Sequence, residues 1–242
     1  MKATDHARLS PSLRHHEFGD GAELAGALAT KVGAVLQAAI QARGQALLAV
    51  SGGSTPKRFF EALSEQEIDW DRVTVTLIDE RLVPSDNERS NHGLANRHLL
   101  KNRAAAARFI PLYAEAEDAE AAARIAAGRI DGLGGPLDVA VLGMGTDGHT
   151  ASFFPGGSTL QQATDTDCPM SVIAMEAPGA GEPRLTLTLP KIVEAGLIVL
   201  HIEGTEKKAV LARALQPGPD AEMPVRSVLR DAAEPVEIYW AP

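Results

Sequence analysis

Asp147 and His149 stand two positions apart in Leu142-Gly143-Met144-Gly145-Thr146-Asp147-Gly148-His149-Thr150-Ala151-Ser152-Phe153-Phe154-Pro155-Gly156. At that spacing they can form a carboxylate and imidazole pair, a combination suited to moving protons near neutral pH. The surrounding glycines let the backbone turn tightly and approach a ligand. Gly143-x-Gly145-x-x-Gly148 formally satisfies a dinucleotide fingerprint. That fingerprint needs a helix running on from its third glycine, and Pro155, Gly156 and Gly157 cut such a helix short. The plainer alternative is a turn carrying a hydrogen-bonded loop histidine, which the density of Asp, Gly and Thr disfavours.

Other stretches offer complementary chemistry. Ser51-Gly52-Gly53-Ser54-Thr55-Pro56 lies between an apolar run at 46–50 and a helical pattern at 57–63. Strand, glycine and hydroxyl loop, then helix: this order presents backbone N–H groups and a helix N-terminus to an anion, with Pro56 suited to the first turn. It is no Walker A loop, since GK[ST] is absent, and no serine elbow, since Pro56 stands where GxSxG needs glycine. The other reading is an ordinary strand-to-helix turn. Asp79-Glu80-Arg81 closes a β-branched run at 73–78, so these charges either form a structural ion pair or face a ligand. In 184–189, period-two alternation puts Arg184, Thr186 and Thr188 on one face. Lys208 precedes a helix expected at 209–215, where a cation opposes the helix dipole; it is either solvated by chance or held there for an anion.

The elements that must position these residues follow from periodicity. Leu24, Leu28, Val32, Leu36 and Ile40 recur at helical spacing between an N-cap at Asp20 and a stop at Gly44. Strands are expected at 46–50, 73–78, 109–113, 137–142, 170–175, 184–189, 196–202 and 236–240. Further helices are expected at 57–63, at 116–130, after a Ser90 or Asn91 cap, at 190–195, at 209–215 and at 225–229. Apolar strands alternating with amphipathic helices imply an α/β fold with a mainly parallel sheet covered on both faces. Loops after the strands then gather at one edge, so the Ser51, Asp79, His149 and Gly204 segments should meet.

Composition narrows the partners. The chain has 242 residues, a net charge of -9 and one cysteine, Cys168, which excludes an internal disulfide and any CxxC motif. The acidic balance argues against nucleic acid as partner. No run reads as a membrane span and residues 1–20 lack an apolar signal core, so a cytoplasmic protein with no membrane partner is expected. His15-His16 reads as solvated surface. No repeat or linker divides the chain, which implies a single domain over 1–242 with loosely ordered residues at 1–18.

With these stretches in view, the chain resembles the bacterial 6-phosphogluconolactonase family, within the group that includes glucosamine-6-phosphate deaminase and ribose-5-phosphate isomerase. The resemblance rests on Ser51-Gly-Gly-Ser-Thr-Pro56, Asp79-Glu-Arg-Leu-Val-Pro84 with Ser90-Asn91, and Gly143-Met-Gly-Thr-Asp-Gly-His-Thr-Ala-Ser152 through Phe-Pro-Gly156. Arg184-Leu-Thr-Leu-Thr188 and Gly204 with Lys208-Ala209 complete it. It spans nearly the whole chain, with Phe153 in place of an expected leucine. It implies a modified Rossmann-like fold, no cofactor or metal, and hydrolysis of a phosphogluconolactone with no obligatory protein partner. Within that resemblance His149 is the expected general base, with Asp147 orienting it. Arg81 would bind substrate or stabilise the oxyanion, and Asp79 would anchor Arg81 or a sugar hydroxyl. The sugar phosphate would lie on Ser51, Gly52, Gly53, Ser54 and Thr55, near Gly145, with Arg184 and Lys208 as counter-charges. The rivals are a deaminase or isomerase of the same group, to which the Asp147 and His149 pair is not foreign, and a sugar-phosphate sensor without turnover.

Overall fold

The structure is a computed structural model, and it describes residues 13–178 and 180–242. Among the described residues ten strands form two sheets. In chain order the strands are β1 (Leu13–Glu17), β2 (Ala46–Val50), β3 (Val73–Leu77), β4 (Asp79–Arg81), β5 (Arg108–Phe109), β6 (Val139–Leu142), β7 (Val172–Met175), β8 (Arg184–Leu187), β9 (Leu197–Glu203) and β10 (Val236–Ala241). The helices that bear on the site are α1 (Gly21–Arg43), α2 (Lys57–Ser64), α3 (Asn91–His98), α4 (Ala119–Asp131), α5 (Leu160–Ala163), α6 (Leu189–Val193), α7 (Thr205–Ala214) and α8 (Val225–Asp231).

The larger sheet runs β1-β10-β9-β6-β2-β3-β5 and every pairing in it is parallel. From β2 the chain builds outward through β3 to β5; from β6 it builds the other way through β9 to β10. The order therefore reverses between β2 and β6, and in open parallel sheets the crevice at that reversal receives ligands. The loops leaving those strands are Ser51 to Pro56 and the glycine-rich segment carrying Asp147 and His149. Strands β2 and β6 are wholly buried, as expected of the apolar centre of such a sheet.

Helix α1 shows how local sequence sets an element. Asp20 Oδ1 accepts from the N–H groups of Ala22 and Glu23, and Gly44 ends the helix at φ 78°, where a Cβ would be strained. Leu24, Leu28, Val32 and Leu36 are fully buried. By length and apolar content α1 would suffice to cross a bilayer, contrary to the expectation that no run reads as a span. Its apolar stripe instead packs within this fold, against α2, β2 and β10.

Three departures from the sequence reading matter. A second sheet, β4-β8-β7, is antiparallel and stands apart from the first, because Ile78 breaks the run and Asp79–Arg81 crosses over to pair with β8. Strand β1 occupies residues expected to be loose: it pairs parallel with β10 as an edge strand, where polar side chains are tolerated and no apolar alternation announces it. His16 is therefore not free surface; it bonds Glu237 at 2.9 Å and packs against the Tyr239 ring in a tilted contact, while His15 is exposed. Residues 1–12, part of the segment expected to be loose, lie outside the described residues.

Candidate active site

The four expected segments converge on one cleft of about 220 Å³, lined by Ser51 to Pro56, Asp79, Arg81, Gly143 to Gly145, His149, Phe154, Arg184, His201 and Lys207, among others. At its mouth His149 Nδ1 lies 2.6 Å from Asp147 Oδ1, and the same oxygen accepts from the His149 backbone N–H at 3.0 Å. A carboxylate can only accept, so the neutral ring donates from Nδ1 and presents Nε2 as a lone pair. The bond to His149 holds the Asp147 carboxyl below its ordinary range, so it stays anionic as the orienting partner. Phe154 packs against the ring at 4.6 Å between centroids.

Gly145 makes room for this pair. A Cβ there would overlap the His149 ring, and would stand 2.6 Å from Asp147 Oδ1. Its own N–H donates to His149 O at 2.9 Å, so that group closes the loop, while the residue itself lines the cleft. Gly145→Ala should displace the imidazole and cost roughly 10²-fold in turnover with little loss of fold, as measured by kcat beside a thermal melt.

The loop after β2 lines the same cleft and has the form of an anion cradle. Ser51 N–H is spent on Val141 O, but among the described residues the backbone N–H groups of Gly52, Gly53, Ser54 and Thr55 make no hydrogen bond. They precede α2, whose first turn has no side-chain cap. Gly53 is at φ 100°, and a Cβ on Gly52 would overlap the Asn91 side chain. Asn91 Nδ2 in turn donates to Asp79 O at 2.8 Å, fixing the cradle against β4.

The Asp79-Glu80-Arg81 cluster resolves into two functions by strand alternation. Glu80 faces inward and is fully buried, its oxygens accepting from Arg81 N, Ser90 Oγ, Asn91 N and His92 N at 2.7 to 3.0 Å. Burial pushes its carboxyl up while these four donors favour the anion, which anchors the start of α3. Asp79 and Arg81 face the cleft. Asp79 Oδ2 accepts from Ser152 Oγ at 2.6 Å, which ties β4 to the histidine loop. No Asp79–Arg81 ion pair forms among the described residues; Arg81 Nη1 donates to Arg89 O.

Arg81 and Arg184 are direct partners across β4 and β8, so two guanidinium stems share one face. Like charges set opposite each other repel unless an anion intervenes. Arg184 is 8% exposed, 5.5 Å over the Phe154 ring, and its Nη2 donates to Ala180 O. Burial draws its pKa down, against the pull of Asp79. Among the described residues the buried side-chain polar atoms without a partner are Ser51 Oγ, Arg81 Nε and Arg184 Nε. All three residues line this cleft.

Lys208 is not at the cleft. Its Nζ pairs with Glu17 at 2.8 Å and sits 3.7 Å over the Trp240 ring, in a separate groove. Helix α7 begins at Thr205, four residues before the expected start, so neighbouring lysines point about 100° apart. The cation that reaches the cleft is Lys207, with Nζ bonded to Met144 O; burial lowers its pKa while Asp147 opposes that shift. Gly204 at φ 92° as the cap before α7 was the available signal, since it fixes the helix start. His201 was missed as well, hidden in the apolar run of β9.

Fold and cleft thus define an α/β protein in which a loop of free backbone N–H groups and a carboxylate-held imidazole line one crevice of a parallel sheet. The chain belongs to the glucosamine-6-phosphate isomerase/6-phosphogluconolactonase family, whose sequence model matches residues 19–240. It is 63% identical to a 6-phosphogluconolactonase of Rhizobium meliloti over 96% of this chain and all of that one. It is 51% identical to a 6-phosphogluconolactonase of Mesorhizobium japonicum over 96% of each chain. A crystal structure of a 6-phosphogluconolactonase from Shewanella baltica superposes with a TM-score of 0.92 at 40% identity, covering 96% of this chain and 98% of that one.

Proposed function

We propose that this chain, working as one domain, hydrolyses 6-phospho-D-glucono-1,5-lactone to 6-phospho-D-gluconate in the oxidative pentose phosphate pathway. The family takes in glucosamine-6-phosphate isomerases as well as 6-phosphogluconolactonases, and the high-identity relatives favour the lactonase branch. The observation that carries the reading is the single cleft in which a lone-pair nitrogen of His149 faces unsatisfied donors on Ser51, Arg81 and Arg184.

The substrate phosphate lies on the free N–H groups of Gly52 to Thr55, with Ser51 Oγ as a further donor and Arg184 and Lys207 as counter-charges. Its ring reaches towards His149. A lactone carbonyl is already electrophilic, so the chemistry needs an activated water and donors for the oxyanion, with no covalent nucleophile. His149 Nε2 takes a proton as the water oxygen bonds to C1, and Asp147 stabilises the imidazolium so formed. Arg81 balances the oxyanion, and Asp79 holds a sugar hydroxyl. Collapse breaks the bond from C1 to the ring oxygen, which recovers its proton from His149 and leaves the open-chain acid.

The reaction calls on no cofactor, nucleic acid or obligatory protein partner, and the proposed setting is the cytoplasm. The test is a coupled assay of freshly generated phosphogluconolactone, corrected for spontaneous opening, beside glucosamine 6-phosphate. Turnover of the lactone alone supports the reading; turnover of the amino sugar alone replaces it with the deaminase branch.

A further inference from the structure

His201 is a buried, titratable residue in the cleft for which the reaction above has no use. It is 2% exposed, on β9, and lines the same cavity as the cradle loop and Lys207. Its Nε2 lies 3.3 Å from Glu203 Oε1, and Phe59 of α2 meets the ring edge-on at 6.1 Å between centroids. Glu203 is held from the other side by Arg58 of α2 at 3.5 Å. The bond to His201 draws the Glu203 carboxyl below its ordinary range, so a carboxylate stands behind the ring. The second ring nitrogen, Nδ1, makes no hydrogen bond among the described residues.

This arrangement fixes what the ring can do. Neutral and donating from Nε2 to Glu203, it turns a lone pair of Nδ1 away from that carboxylate, which would repel a phosphate oxygen. Protonated, it donates from both nitrogens, to Glu203 and to an anion. The charged groups around it are Glu203 on its own strand, Arg58 of α2 and Lys207 of α7, with Tyr239 of β10 opposite it in register. No titratable side chain comes from the cradle loop at 51–56.

We propose that His201 is a phosphate-facing residue of the substrate cleft, backed by Glu203, that takes up a proton from solvent when a dianionic sugar phosphate binds. The proposal rests on the lactonase reading for the identity of the ligand. It makes binding tighter as pH falls towards the range where imidazole is protonated, while the water-activating step stays with His149.

The experiment is calorimetric titration of the full chain with 6-phosphogluconate at pH 7.5 in two buffers of different ionisation heat, with gluconate as control, beside steady-state lactonase kinetics. Wild type should take up a fraction of a proton with 6-phosphogluconate and none with gluconate. In His201→Gln that uptake should vanish and KM should rise about tenfold, with kcat falling less than threefold. Glu203→Gln keeps the imidazole and removes its support, so the uptake should shift to lower pH. Equal proton uptake in wild type and His201→Gln overturns the assignment, as does an unchanged uptake profile in Glu203→Gln or a loss confined to kcat. A wild-type chain that turns over the lactone without linked uptake overturns it too. Absence of lactone turnover in wild type overturns instead the reading on which it rests.

Discussion

Substituting asparagine for His149 is expected to lower kcat on the lactone by about 10²- to 10⁴-fold, the range a positioned general base contributes. The amide can still donate towards Asp147, and the closure of the loop through Gly145 is a backbone bond that the substitution leaves in place. What disappears is the basic nitrogen on the far side of the ring. The expected loss amounts to about 3 to 5 kcal/mol of transition-state stabilisation. Binding of 6-phosphogluconate should persist, since the cradle donors belong to other segments. A protein that only senses sugar phosphates would lose nothing measurable, because it has no rate to lose; retention of full turnover in His149→Asn would remove the ring from the chemistry.

Arg184→Met should act on binding instead. Methionine retains an apolar stem of similar length against Phe154 but no donor, so the two-guanidinium face shared with Arg81 loses half its charge. A rise in KM of about 10²-fold is expected, equivalent to about 2.7 kcal/mol of lost anion binding. In the free protein the outcome is opposite in sign. Burial already opposes the Arg184 charge, and its Nε goes unsatisfied, so removing it relieves a cost. The variant should therefore melt at a temperature equal to or above that of wild type without ligand, and gain less from added 6-phosphogluconate. A lower Tm with unchanged KM would make Arg184 a structural residue. Lysine at this position should restore only part of the binding, because a point charge cannot reproduce the guanidinium fork.

The parts of this site legible in the sequence are those set by local rules. Strand β2 followed by glycines and Pro56, the Asp20 and Gly44 ends of α1, and the Ser90 cap of α3 each follow from chemistry within a few residues. The gathering of loops at one sheet edge follows from alternating strands and helices, and the cleft indeed lies at that edge. The three-stranded sheet was not legible, because the separation of β4 from β3 depends on pairing with β8, more than a hundred residues on. The same holds for Glu80: its four donors come from its own neighbour and from 90–92, and only the fold shows that it is spent on α3 and withheld from the ligand. The lysine assignment failed for a smaller reason. Lys207 and Lys208 are adjacent on one helix and point about 100° apart, and only the packing of α7 on the sheet shows that the first reaches the cleft while the second pairs with Glu17. Strand β1 escaped because an edge strand needs no apolar pattern to pair.

The proposed function requires that a single sugar phosphate bridge the cradle after β2 and the imidazole after β6. A crystal structure with bound 6-phosphogluconate tests this directly. The phosphate should lie against the N–H groups of Gly52 to Thr55 within reach of Arg184 and Lys207, with the C1 carboxylate beside His149, joined to Nε2 through one water or directly where the ring is protonated. A phosphate seated instead beside Lys208 and Trp240, or a carboxylate turned away from the histidine, would contradict it.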